Sequence, residues 1–143
     1  MALTNPRNTI AFDEIDAGSV SFLIDNATIV YDATQSNGAV AATIGKAVTL
    51  SAARTAALAA DADPIIGKLI SVESDNKCNV QVDGFMELPG GTAAGLTLGC
   101  TIVGALLVAA KGYIRVSVAA ESPKARGAII DASVTTAVIV RLG

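Results

Sequence analysis

Two carboxylates, Asp83 and Glu87, stand four positions apart in the stretch CNVQVDGFMELPGG, residues 78–91. On a strand, positions i and i+4 share a face. Such a pair could supply the acid and the base or nucleophile of a hydrolysis such as glycosidic cleavage. The residue types around them favour a plainer role. Asp83 precedes Gly84, Glu87 precedes Leu-Pro-Gly-Gly, and no aromatic sugar platform accompanies them. A matching stretch 60 residues later, ending VIVRL, contains neither acid. Asp83 and Glu87 therefore read first as turn and surface residues. A small hydrolase built on them stays open as an alternative.

The chain has no histidine. That removes the commonest general base and metal ligand, and with them the Ser-His and Cys-His nucleophile pairs. The lysines, Lys46, Lys68, Lys77, Lys111 and Lys124, are dispersed. Cys78 and Cys100 have 21 residues between them, with no C-x-x-C pair and no histidine to complete a zinc set. Both read as buried free thiols, in keeping with assembly in a reducing cytoplasm. The glycine run PGGTAAGLTLG lacks the Gly-Lys-Ser/Thr of a phosphate loop and the G-x-G-x-x-G of a dinucleotide turn. Gly90-Gly91 reads as a tight turn supplying positive φ. DNATIVYD and DADP lack the register of a calcium loop. No catalytic, cofactor-binding or metal site is assigned, and no cofactor is expected.

Composition points to an assembled protein. Apolar residues make up 52% of the 143, while charged residues are 16%, against roughly 25% in an average soluble domain. Mean hydropathy is +0.56. The longest apolar run, CTIVGALLVAA, is too short to span a bilayer, and MALTNPRNTI lacks the apolar core of a signal peptide. Burial against other protein chains is what remains to cover this surface. A net charge of -3 gives no basic footprint for nucleic acid. The expectation is no membrane and no nucleic-acid partner.

The elements are strands. Residues 1–19 form an extended arm whose Ile10, Phe12 and Ile15 alternate loosely with polar residues, as in a segment that adds to a neighbour's sheet edge. These three are the candidate partner-interface residues. Residues 20–143 form a single β domain. VSFLI and TIVY flank an Asp25-Asn26 turn, SNGAV carries an Asn-Gly hairpin turn, and KAVTL is a further strand. Residues 51–63, SAARTAALAADAD, read as a loop containing a short strand, although alanine and leucine favour helix. IIGKLISVESDNKCNVQV is a hairpin, and GAIIDASVTTAVIVRL overlays it without a gap at a shift of 60. Gly67 falls on Gly127, Leu69 on Ile129, Ile70 on Ile130, Cys78 on Val138, Val80 on Val140 and Val82 on Leu142. One short helix fits near residues 119–126, limited by Pro123. The fold class is mainly β, a compact β-barrel-like domain with an extended N-terminal arm and at most one short helix.

The string LAADADPIIGKLISVESDNKCNVQVDGFMELPGG, followed by KGYIRV and a closing AIIDASVTTAVIVRL, resembles the capsid decoration proteins of tailed bacteriophages, also called cement or head-stabilising proteins. Residues 58–89 carry most of the likeness, and MALTNPRNT is similar to the family's usual start. The resemblance implies a β-tulip-type barrel that forms a homotrimer on the exterior of an icosahedral virion. It implies the major capsid protein as partner, arms reaching onto adjacent capsid subunits, synthesis in the host cytoplasm, and no enzymatic activity. A ligand- or carbohydrate-binding β module on a virion or cell surface is the other open reading, with Phe12, Phe22, Tyr31, Phe85 and Tyr113 as its only aromatics.

Overall fold

The computed structural model describes residues 18–40, 42–91 and 95–143. Ile10, Phe12 and Ile15 lie outside the described residues. Among those described, the strands are β1 (Gly18–Ile24), β2 (Ala47–Ala52), β3 (Thr55–Leu58), β4 (Gly67–Val72), β5 (Lys77–Leu88), β6 (Ile102–Leu107), β7 (Ala110–Val116), β8 (Ala128–Asp131) and β9 (Val138–Leu142). One 3-10 turn, Ala119–Glu121, follows β7. The mainly β class with a single short helical turn is the one the sequence pattern predicts. The first strand begins at Gly18, two residues before the expected start of the β domain.

The chain closes a five-stranded barrel in the order β1-β3-β2-β4-β5, with β1 pairing back onto β5. All its pairings are antiparallel except β1 with β3. The twelve-residue β5 serves twice. Its first half, through residue 83, closes this barrel, while residues 84–88 pair with β9 and open a second ring.

That second ring repeats the first pairing by pairing, which the hairpin recurrence only hinted at. In the β4–β5 hairpin Lys68 faces Gln81, Leu69 faces Val80 and, past a bulge, Ser71 faces Asn79. In the β8–β9 hairpin Ala128 faces Arg141, Ile129 faces Val140 and, past the same bulge, Asp131 faces Ile139. Every position is shifted by 60, the bulge included. The strand before it follows suit at another offset. Gly45 N–H donates to Leu69 O and Leu69 N–H to Lys46 O. Correspondingly, Gly99 N–H donates to Ile129 O and Ile129 N–H to Cys100 O. Gly45 and Gly99 share the left-handed φ, 83° and 81°, that glycine adopts without steric cost. The parallel contact recurs too: Ile24 beside Ala56 in the first ring, Gly90 beside Ile114 in the second. In the second ring this contact and the one between Ile102 and Arg126 are single bridges, so it is closed more loosely.

Each ring has its own apolar centre. Ile24, Val48, Ala56, Leu69, Val72, Cys78 and Val80 fill the first. Met86, Leu88, Ile102, Ile114, Ile129, Val138, Val140 and Leu142 fill the second, joined by Ala47, Ala59 and Ile65 from the first ring's strands and loops. The alternation of strand positions thus sends Cys78, Val80 and their counterparts Val138 and Val140 inward.

Two expected elements differ. TIVY is not a strand: among the described residues, the chain between β1 and β2 holds only a bridge from Tyr31 to Ala39. The Asp25 carboxylate takes the N–H groups of Ala27, Thr28 and Ile29, which withdraws them from any ladder. This loop is what the first ring adds to the shared plan. The Ala-rich stretch forms the end of β2 and all of β3, joined by Ala53-Arg54 with Arg54 at φ 59°. Helix propensity yields here to packing, because Ala56, Ala57 and Ala59 are small enough to be buried where strands crowd.

Candidate interaction surface

The features best suited to recognition lie on strand edges and outer faces. β1 is the most exposed strand of the first barrel. Val20 and Leu23 are each 46% exposed, and with Phe22, Arg54 and Lys77 they line a shallow, mostly apolar depression of about 510 Å³. Its polar rim is cationic. Lys77 is 3.7 Å from Asp75, whereas Arg54 has no ion pair among the described residues.

One side of β1 is an open edge. Leu23 N–H turns away from β5 to donate to Arg54 O at 2.8 Å. By the two-residue alternation, the main-chain groups of Ser21 and Ser19 point the same way. Consistent with that, Ser21 and Asn79 form a closely spaced side-chain pair, Oγ to Oδ1 at 3.0 Å. β3 reaches only Leu23 and Ile24, because it begins at Thr55. Among the described residues nothing pairs with the outward main chain of Ser19 and Ser21. The second ring treats the equivalent place differently, since the Phe85 carbonyl accepts Gln81 Nε2 at 3.0 Å.

Two more apolar side chains sit on equivalent outer positions. Ile70 and Ile130, each in its hairpin's bulge, are 40% and 41% exposed. The sequence reads them as ordinary strand residues, but the bulge turns them out. At the tip of the β6–β7 hairpin, Val108 is 89% exposed at φ 60°, a conformation that β-branched residues rarely adopt.

The residues that could do chemistry do not converge. Asp83 is exposed, faces Gly18 across the sheet, and its Oδ1 accepts Gly84 N–H at 2.8 Å. Glu87 lines a separate small depression with Lys46, Lys68 and Pro89, to which Asp83 does not contribute. The two acids share a strand, and the depression that Glu87 lines does not include Asp83. The one S-x-x-K spacing, Ser74 to Lys77, falls on the β4–β5 turn, where Lys77 approaches Asp75. Cys78 is buried and free, and burial pushes its thiol up to about 11, which leaves it inert at neutral pH. Cys100 is free but only half-buried, so the expected burial holds for one thiol and not the other. Gly90 and Gly91 do not take positive φ. They are where strands approach closely, and a Cβ on Gly91 would lie 2.7 Å from that of Ala105. Among the described residues no cluster of His, Cys, Asp and Glu is arranged to hold a metal, and no helix is long and apolar enough to cross a membrane.

Two polar clusters organise loops. Arg115 forks onto Glu121, with Nη2 to Oε1 at 2.6 Å and Nη1 to Oε2 at 2.9 Å, and its Nε reaches Asp61 Oδ1 at 2.9 Å. The guanidinium, seconded by the Val118 amide, pulls Glu121 down to about 2, and the two acids raise Arg115 further. At Asp25, burial alone would raise the carboxyl, but the amides of Ile29, Thr28 and Ala27 and the Thr28 hydroxyl outweigh it and lower it.

No protein-family model, curated protein or solved structure matches the chain.

Proposed function

We propose that this chain is a structural virion protein that binds the outer surface of an icosahedral phage capsid as a homotrimer. In this reading it stabilises the shell by bridging major capsid protein subunits. The observation that carries the reading beyond the sequence resemblance is the kind of surface the barrel offers. Apolar side chains stand outward on strands and bulges, at Val20, Leu23, Ile70 and Ile130, while the candidate acids lie apart. Such a surface suits burial against other chains over a broad contact. The aromatics also favour it over a carbohydrate module. Phe22, Tyr31, Phe85 and Tyr113 are all half-buried, and Lys46 Nζ lies over the Tyr113 ring at 3.8 Å, so none of the four is an open stacking platform.

The mechanism is avidity. Each trimer would make several modest contacts with different capsid subunits, and release would require them to fail together. Mixing the protein with expanded capsids and imaging them tests the reading directly. Ordered density at three-fold positions is expected. Bare capsids at saturating protein would overturn it.

A further inference from the structure

We infer that residues 8–16 of one copy add as a strand to the open edge of β1 in a neighbouring copy, with Asp13, Glu14 and Asp16 meeting Arg54 and Lys77. This rests on the multimer of the proposed function and not on capsid binding.

Four observations converge on this occupant. First, an open strand edge is a template for an extended chain, and β1 leaves the main chain of Ser19 and Ser21 unpaired among the described residues. Second, the depression along that edge is apolar with a cationic rim. Residues 8–16, NTIAFDEID, carry Ile10, Phe12 and Ile15 together with three acids. In an extended strand Ile10 and Phe12 share a face, as Val20 and Phe22 do on β1. Charge and apolarity both match, and the match is directional, since the acids lie at the end nearest the body.

Third, the repeat shows where a segment in this position goes. Residues 84–88 correspond to β1 at an offset of 66, as the parallel contacts at Ile24 and Gly90 show. The segment preceding residues 84–88 is the first half of β5, and it does not fold back on the second ring. It serves as a strand of the other barrel. Residues 11–17 stand in the same relation to β1. Fourth, the second ring has a partner at the corresponding edge, Gln81 Nε2 on the Phe85 carbonyl. At the offset of 66, Gln81 corresponds to Ile15, whose side chain carries no donor, so the Ser19 carbonyl cannot be satisfied in the way that of Phe85 is and stays available to a main-chain partner.

The experiment uses the full chain alone, followed by sedimentation from nanomolar to tens of micromolar and by amide hydrogen exchange. The wild type is expected to assemble, with the amides of Ser19 and Ser21 becoming protected as it does. Ser21→Pro removes an N–H that points away from β5, so the body keeps its ladder. It should raise the concentration of half-assembly at least tenfold. Arg54→Glu with Lys77→Glu should do the same. Mixing that variant with one carrying Asp13→Lys, Glu14→Lys and Asp16→Lys should restore assembly, because each supplies the complement of the other. Three results would overturn the inference: a wild type that stays monomeric, wild-type assembly by both the Ser21 variant and the charge-reversed variant, or Ser19 and Ser21 protection that does not change with concentration, which means the arm lies on its own body. Should Ser21→Pro fail to fold, the charge-reversed pair decides alone. Capsid imaging is scored separately. Assembly through the arm with bare capsids overturns only the function, whereas capsid decoration by an arm-independent trimer overturns only the arm contact.

Discussion

Arg115 shows how few charges this chain needs to fix its surface loops. Its side chain is 13% exposed, and its fork closes onto a Glu121 that is 11% exposed. Such paired, hydrogen-bonded charges are geometrically defined in a way that exposed ion pairs are not. Glu121 ordinarily titrates at 4.5, and in the folded protein it is held at about 2. A depressed carboxyl contributes its stabilisation fully above the unfolded value and loses it as pH falls toward the folded one. Stability should therefore decline between pH 4.5 and 2. In Glu121→Gln that portion of the decline disappears, and the variant melts below the wild type at pH 7. Thermal melts of both proteins across that range provide the check. An acid slope identical in the variant would assign the loss to other carboxylates, of which Asp25, with its lowered carboxyl, is the first to examine.

Strands and turns carry the repeat through main-chain geometry, and two glycines mark it. A Cβ on Gly67 would run into the carbonyl oxygen of Gln81. A Cβ on Gly127 would lie 2.6 Å from the carbonyl oxygen of Arg141, the residue 60 positions beyond Gln81. Gly67→Ala and Gly127→Ala should each cost about 1–3 kcal/mol or more, as overpacking does. Gly127 also carries φ 68°, so its variant should be the more damaged unless the tighter clash at Gly67 dominates. Urea titrations rank them, and a neutral result at either position would show that the strand beside it can retreat. These hairpins were legible in the sequence because their apolar alternation is strong and their spacing is constant. The rest of the repeat was not. β2–β3 and β6–β7 share hydrogen bonds but little composition, SAARTAAL against LLVAAKGY, and hydrogen bonds between peptide groups leave no trace in side-chain type. The loop beginning at Asp25 also breaks the common offset. The open edge of β1 was equally hidden, since it depends on β3 beginning only at Thr55, a matter of strand length that Ala-rich residues do not announce.

At the scale of the whole molecule, the question is whether two rings make one cooperative body or two. Three links tie them. β5 runs unbroken from one ring into the other. Ala47, Ala59 and Ile65 of the first ring complete the second ring's apolar centre. Arg126, beside β8, places Nη1 3.3 Å from the carbonyls of Ile65 and Ile66 and Nη2 3.3 Å from that of Val82. Removing this guanidinium leaves three main-chain acceptors of the other ring without it. Hydrogen bonds to a charged donor contribute about 1.5–3 kcal/mol together with the cost of leaving partners unpaired. Arg126→Ala should lower stability by about 1–3 kcal/mol, yet unfold in one transition, because the shared strand and shared apolar centre remain. Tyrosine fluorescence is well suited to the test, with Tyr31 in the first ring and Tyr113 in the second. Coincident urea transitions for single Tyr→Phe versions of Arg126→Ala would show one body. Two separated transitions would mean that Arg126 is the principal coupling, and that a rigid clamp spanning both rings depends on it. A single transition is what the proposed bridging role requires, since strain applied at one contact is then resisted by the stability of both rings.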